Sequence, residues 1–174
     1  KSTDGGVTFN ISNHWTGCGS PSFAQNVHAD KHFLAYQNNS SVLFECNDGG
    51  LYKSSDAGIN WTHLSSGMAI SQIYRMGVGQ TYPGEIVIGL QDNGTKARLN
   101  GVWDDVIGGD GFEGIVDYTN ENIQYGALYY GSISRTTNYW VSKTNITSSI
   151  PGSGAWCTPY LMDPVNHQTL YVGY

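Results

Sequence analysis

Ser54-Ser55-Asp56-Ala57-Gly58-Ile59-Asn60-Trp61 has the form Ser-x-Asp-x-Gly-x-Asn-Trp, and Ser2-Thr3-Asp4-Gly5-Gly6-Val7-Thr8-Phe9 repeats it with Thr and Phe at the last two places. Each position suits a tight hairpin. An Asp carboxylate accepts hydrogen bonds from turn amides, and a Gly takes positive φ at no steric cost. The closing aromatic is expected to return to a core between sheets. Ser134-Arg135-Thr136-Thr137-Asn138 reads as a decayed third copy that lacks both the Asp and the Gly. On this reading Ser2, Asp4, Gly6, Phe9, Ser54, Asp56, Gly58 and Trp61 shape hairpins and carry no chemistry.

Working outward, four β-branched or aromatic clusters recur: Val42-Leu43-Phe44, Ile86-Val87-Ile88, Ile123-Gln124-Tyr125 and Leu170-Tyr171-Val172. Their midpoints lie 44, 37 and 47 residues apart, and each follows a polar turn (Gln37, Thr81, Asp117 and Asp163 as equivalent starts). Ahead of each turn is another short strand-type run, such as Phe33-Leu34-Ala35-Tyr36. A period near 40–50 with about four strands per unit is the signature of a β-propeller blade. The expected fold is all-β, a propeller of four-stranded antiparallel blades. Its fragments fall at about 1–27, 28–68, 69–108, 109–150 and 151–174, or about four blades with the first and last incomplete. Propellers commonly close with more blades, so the chain is expected to be part of a longer polypeptide that supplies the rest.

Composition agrees with that class and narrows the partners. The chain has 174 residues with 23 Gly, 12 Tyr and 5 Trp, but only 13% charged residues. That is too aromatic for a disordered chain and too poor in helix formers for a bundle. No apolar run approaches the roughly 20 residues of a membrane helix. Net charge is −6 and the basic residues are scattered, which argues against nucleic acid. Cys18, Cys46 and Cys157 allow at most one bridge within the chain. Sequon-type tripeptides begin at Asn10, Asn38, Asn39, Asn60, Asn93 and Asn145, which fits an extracellular or cell-surface location.

Candidate ligand residues come from the loops expected on the blade face opposite the box hairpins. Seven places before the equivalent turns stand Asp30, Tyr74, Asp110 and Trp156, and His28 lies two places before Asp30. Asp48 and Asp92 occupy matching turns between second and third strands. Clustered carboxylates bind cations or divide acid and base roles, which makes Asp30 and Asp110 the candidate catalytic pair. Tyr74 and Trp156 offer faces for stacking on sugar rings, and His28, Asp48 and Asp92 complete a candidate ligand set. At strand period His28, Asp30 and His32 project to one side and can ligate a divalent cation. No motif requires a cofactor. Against each stands a plainer role: Asp-Gly turns close hairpins, and Asp30 can simply orient an imidazole.

The box hairpin resembles the Asp-box, or BNR repeat, of sialidase-type and sortilin-like propellers. A longer ordered set is more specific: His28-x-Asp30-x-His32, Asn47-Asp48-Gly49-Gly50, the box at Ser54, Gly89-Leu90-Gln91-Asp92-Asn93-Gly94 and Gly108-Gly109-Asp110-Gly111-Phe112. From Val27 to Tyr174 this looks like bacterial sortilin-like proteins, secreted Bacteroidetes-type surface propellers often labelled glycosyl hydrolases. Phe33 and Gln37 depart from that pattern, where an Ala and an Asp are more usual. The resemblance implies a secreted or surface propeller that binds a glycan or an extracellular protein. Two alternatives stand beside it: a non-sialidase glycoside hydrolase using a carboxylate pair, and a structural element of a surface adhesin. A sialidase needs an arginine cluster that Arg75, Arg98 and Arg135 do not supply at the right places.

Overall fold

The computed structural model describes residues 1–15, 24–68 and 70–174, so Cys18 falls outside the described residues. They form two compact units, Lys1–Ile70 and Ser71–Tyr174. The fold is all-β, and its repeating element is an antiparallel sheet whose four strands pair in sequence order, as in propeller blades.

In the first unit β1 (Asn13–His14) and β2 (Gln25–Asn26) form a short parallel pair. One complete blade follows: β3 (Lys31–Tyr36), β4 (Leu43–Asn47), β5 (Gly50–Ser54) and β6 (Thr62–His63). The second unit holds two complete blades. One comprises β7 (Ile73–Val78), β8 (Ile86–Leu90), β9 (Gly94–Leu99) and β10 (Val102–Ile107). The other comprises β11 (Gly114–Val116), β12 (Gln124–Ala127), β13 (Ile133–Thr136) and β14 (Thr144–Asn145). A final pair, β15 (Tyr160–Met162) and β16 (Leu170–Val172), ends the chain.

The second unit's core lies between its sheets. Val87, Ala97 and Val116 form one buried cluster, with Trp140 packed against it. Phe112, Tyr125, Ala127, Ile133 and Tyr160 form the other. The blades approach so closely that side chains are excluded at places. A Cβ on Gly89 would stand 1.8 Å from the Phe112 carbonyl oxygen, and one on Gly77 would stand 2.4 Å from that of Gly114. Glycine here sets the distance between sheets, a use separate from its work in turns.

The box hairpins show three copies of one hydrogen-bond network. In the full copy Ser54 Oγ donates to Asp56 Oδ1 at 2.8 Å and accepts from Gly58 N at 2.8 Å, while Asp56 Oδ1 accepts from Asn60 N at 2.8 Å. The same three contacts link Ser2, Asp4, Gly6 and Thr8 at 2.7, 2.8 and 3.0 Å. Trp61 is buried behind its hairpin, but Phe9 is 75% exposed, contrary to the expectation that it returns to a core. Its ring instead reaches back towards its own turn, 3.8 Å from where a Gly6 Cβ would be.

The third copy exists two residues later than the sequence pattern suggested. Thr136 Oγ1 donates to Asn138 Oδ1 at 3.0 Å and accepts from Trp140 N at 2.9 Å, and Ser142 N donates to Asn138 Oδ1 at 3.0 Å. Thr136, Asn138, Trp140 and Ser142 thus stand where Ser54, Asp56, Gly58 and Asn60 stand. Trp140 adopts φ 64°, the left-handed conformation that Gly58 reaches at 85°. A tryptophan there is uncommon, which is why the motif is invisible as text.

A second phase correction affects the site. The first inter-strand turns are closed by Gln37 N to Val42 O, Gly79 N to Glu85 O, Asp117 N to Ile123 O and Asp163 N to Thr169 O. Gly79, not Thr81, is therefore the equivalent of Gln37, and Tyr74 is the structural counterpart of His32 rather than of Asp30. Both sit at β-bulges, where the register shifts between Lys31 and Phe33 and between Ile73 and Arg75. A bulge re-aims the side chain of its extra residue.

Candidate functional site

In the first unit the bulge at the start of β3 turns His32 onto the β4–β5 turn, where Nε2 pairs with Asp48 Oδ1. His28 directs Nδ1 at the Ala29 carbonyl, 3.3 Å away, and its side chain covers Gly49, where an added Cβ would come within 2.4 Å of the His28 Cβ and 2.5 Å of its ring. Asp30 adopts φ 54°, and one of its carboxylate oxygens lies within 4.8 Å of one on Asp48. Lys31 lies nearby and pairs with the buried Glu45 at 2.7 Å. So His32 and Asp48 meet directly, while His28 is engaged with its own loop.

In the second unit the equivalent bulge turns Tyr74 onto the β8–β9 turn, where its hydroxyl donates to Gln91 Oε1. Asp110 is nearly buried, and its Oδ1 accepts from the Asp92 amide at 2.7 Å. Gly94 N to Gly109 O at 2.7 Å and Gly111 N to Leu90 O at 2.9 Å reinforce that seam. Asp110 therefore clamps two loops together, and Asp92 takes part through its backbone at φ 52°.

Tyr74 and Trp156 are joined by a residue between them. Phe112, fully buried, lies 4.7 Å from the Tyr74 ring and 5.9 Å from that of Trp156, the latter edge-on at 83°. Beyond Phe112 the cluster opens outward. Tyr129 stacks on Trp156 at 5.2 Å with only 13° between planes, and Tyr130 stands against Trp156 at 5.4 Å and 82°. Trp156 and Tyr130 are 44% and 52% exposed. Together these rings make a platform resting on a buried phenyl, an arrangement suited to stacking against a flat apolar ligand face.

The backbone holds the platform in place. Tyr130 N donates to Trp156 O at 3.2 Å and Gly154 N donates to Tyr130 O at 3.1 Å, tying the β12–β13 loop to the segment ahead of β15. Tyr130 is left-handed, at φ 59° and ψ 29°. Such a conformation costs a non-glycine residue roughly 1–2 kcal/mol, and strain of this kind is concentrated at functional loops. Beside Phe112, Glu113 is half-buried, and burial raises its carboxyl above the ordinary range despite the opposing pull of Arg75 at 3.6 Å.

Of the residues marked in the sequence, the structure gathers Tyr74, Trp156, Asp92 and Asp110 in the second unit, with His28, Asp30, His32 and Asp48 in the first. Tyr129, Tyr130 and Phe112, which the loop alignment of the sequence does not mark, join Tyr74 and Trp156 in the ring cluster. Their signal in the sequence is the aromatic pair Tyr129-Tyr130 before Gly131, in the same second-to-third-strand loop type that carries Asp48 and Asp92 in the other blades.

No family model and no curated protein sequence matches the chain. Among solved structures it is similar to a GH74 xyloglucanase from Xanthomonas campestris, at 14% identity over 83% of this chain and 27% of that one, with a TM-score of 0.48. It is also similar to an ancestral GH74 enzyme, at 16% identity over 68% of this chain and 18% of that one, with a TM-score of 0.39.

Proposed function

We propose that this chain is a glycan-binding module of a secreted or cell-surface propeller, and that a saccharide stacks on the Trp156–Tyr129–Tyr130 platform. The observation that carries the reading is the exposed ring cluster itself. Three aromatic side chains from two loops are fixed by reciprocal backbone hydrogen bonds and backed by Phe112. A preorganised aromatic surface pays little ordering entropy on binding, which favours rigid ligands with apolar faces such as pyranose rings. The supporting polar groups, Asp110 and Gln91, are spent on loop bonds, which suits retention of a ligand more than turnover.

Binding to immobilised neutral and acidic polysaccharides, followed by calorimetry on oligosaccharides from the best of them, tests the proposal. Trp156→Ala is expected to weaken binding by about 2 kcal/mol, roughly 30-fold, as expected of an anchor residue. Unchanged affinity in a folded Trp156→Ala variant would refute it. Release of reducing ends from the bound polysaccharide, abolished by Asp110→Asn or Asp30→Asn, would replace the binding reading with a hydrolytic one.

A further inference from the structure

At the opposite end of β12 from the aromatic platform, a cleft of about 380 Å³ is lined by Asp117, Tyr125, Arg135, His167 and Gln168, with Ile123, Ile146 and Leu170 as its apolar wall. A volume of this order suits a small ligand. Among the described residues Arg135 forms no ion pair with any carboxylate. Its guanidinium is fixed nonetheless: Nε donates to the Tyr125 hydroxyl at 3.1 Å, and the group lies over the Tyr125 ring, 5.9 Å from its centre. Tyr125 itself is buried. The anchor uses Nε alone, so the two terminal nitrogens keep their donors. An unpaired, oriented arginine is conspicuous in a chain of net charge −6, where acidic groups are available to satisfy it.

The other side of the cleft is equally ordered. Asp117, 1% exposed, accepts from Thr119 N and Thr119 Oγ1, both at 2.8 Å, through Oδ1, and pairs through Oδ2 with His167 Nδ1 at 2.8 Å. Its charge is thereby spent inside the protein. Fixing Nδ1 orients the imidazole and leaves Nε2 without a hydrogen-bond partner among the described residues. The Tyr125 hydroxyl accepts from Arg135 and keeps its own proton to donate. Guanidinium and phenol thus present hydrogen-bond donors to one cleft, which is also bordered by the imidazole that donates Nδ1–H to Asp117.

We infer that this cleft is a binding site for a carboxylate, its oxygens received by the terminal nitrogens of Arg135 and the Tyr125 hydroxyl, with the ligand's carbon skeleton against Ile123, Ile146 and Leu170. A planar guanidinium fork matches a planar carboxylate through two parallel hydrogen bonds, which a lysine cannot reproduce. The same chemistry is offered by a free organic acid and by a uronic acid residue of a saccharide.

Titration calorimetry of the whole chain with glucuronate, a short oligogalacturonate, acetate, glucose and inorganic phosphate tests the inference. Glucuronate is expected to bind far more tightly than glucose, whose only expected contact is with the aromatic platform, and equal affinities overturn the inference. Tighter binding of the oligogalacturonate than of glucuronate identifies an acidic saccharide as the source, and equal binding of acetate and glucuronate identifies a free acid. Arg135→Gln and Arg135→Lys are each expected to weaken binding about tenfold or more, since both lose the fork. Glucuronate affinity is expected to be the same with and without a saturating neutral oligosaccharide on the aromatic platform, which separates the two sites. Full affinity in Arg135→Lys, or phosphate binding as tightly as glucuronate, overturns the carboxylate assignment. If Arg135→Gln fails to fold, chemical-shift changes at Arg135 Nε–H on adding glucuronate to the unaltered chain decide the matter, and their absence refutes it.

Discussion

Replacing Trp140 by glycine sets two opposed effects against each other. Trp140 occupies the glycine position of the third box hairpin at φ 64°. A glycine would relieve roughly 1–2 kcal/mol of left-handed strain, partly offset by about 0.5–1 kcal/mol of extra chain entropy in the unfolded state. On the other side, the indole packs against Val87, Ala97 and Val116, and its Nε1 donates to Gln124 Oε1 at 2.6 Å. Loss of a fully buried tryptophan costs about 3–5 kcal/mol, and a half-buried one about 2. Gln124 is 0% exposed, so its orphaned carbonyl adds about 1–3 kcal/mol. The sum is a net destabilisation of about 1.5–5 kcal/mol, centred near 3. With a urea m-value of about 2 kcal/mol/M, the unfolding midpoint falls by roughly 1.5 M. Trp140→Phe, which keeps the ring and the strain but not the hydrogen bond, is expected to fall by about half as much. Urea titration followed by fluorescence and circular dichroism reads both. A Trp140→Gly midpoint equal to or above that of the unaltered chain would show that strain outweighs packing, and the account of this hairpin would be wrong.

Blade spacing gives a contrasting pair. Gly89→Ala places a Cβ against the Phe112 carbonyl and is expected to cost at least about 3 kcal/mol, whereas Gly108→Ala meets nothing within 4 Å and is expected to be near neutral in the same urea titration. Acid sensitivity follows from the box aspartates. Hydrogen bonds from the backbone and then the side chain of Asn60 hold Asp56 at about 2, so its stabilising effect is present above the ordinary value near 4 and disappears as pH falls towards 2. Thermal melts of Asp56→Asn between those pH values are expected to show a shallower decline; an identical decline excludes Asp56 as a contributor. For the platform, Tyr130→Asn keeps a residue tolerant of positive φ and is expected to preserve the melting temperature while reducing saccharide affinity, and a matching loss of both would assign Tyr130 to folding alone.

The repeat period was legible because each blade must bury two short apolar strands before the chain can turn back. The box at Ser54 was legible because its network needs a hydroxyl, a carboxylate and a flexible turn at fixed offsets. The third hairpin performs the same bonding with Thr136, Asn138, Trp140 and Ser142, since a hydroxyl and an amide oxygen satisfy the same donors. Its tryptophan accepts the strained conformation in a place where packing on the neighbouring sheet compensates. Loop phase failed at Thr81 because that residue lies inside a turn closed by Gly79 and Glu85, and turn length varies without disturbing the strands. Asp110 stands out in the sequence as a candidate catalytic carboxylate, but which atoms it faces depends on a turn 18 residues away.

What the sequence determined by itself is local and periodic: strand alternation, hairpin chemistry, the acidic balance and the all-β class. These depend on neighbours along the chain, where spacing is fixed by covalent geometry. What only the tertiary structure decided is which side chains share a surface. Trp156 meets Tyr129 and Tyr130, and Arg135 shares a cleft with His167, because successive sheets stack and bring their loops into register. That register comes from glycine-to-backbone contacts and bulges at single residues, whose effect on direction far exceeds their mark on the sequence.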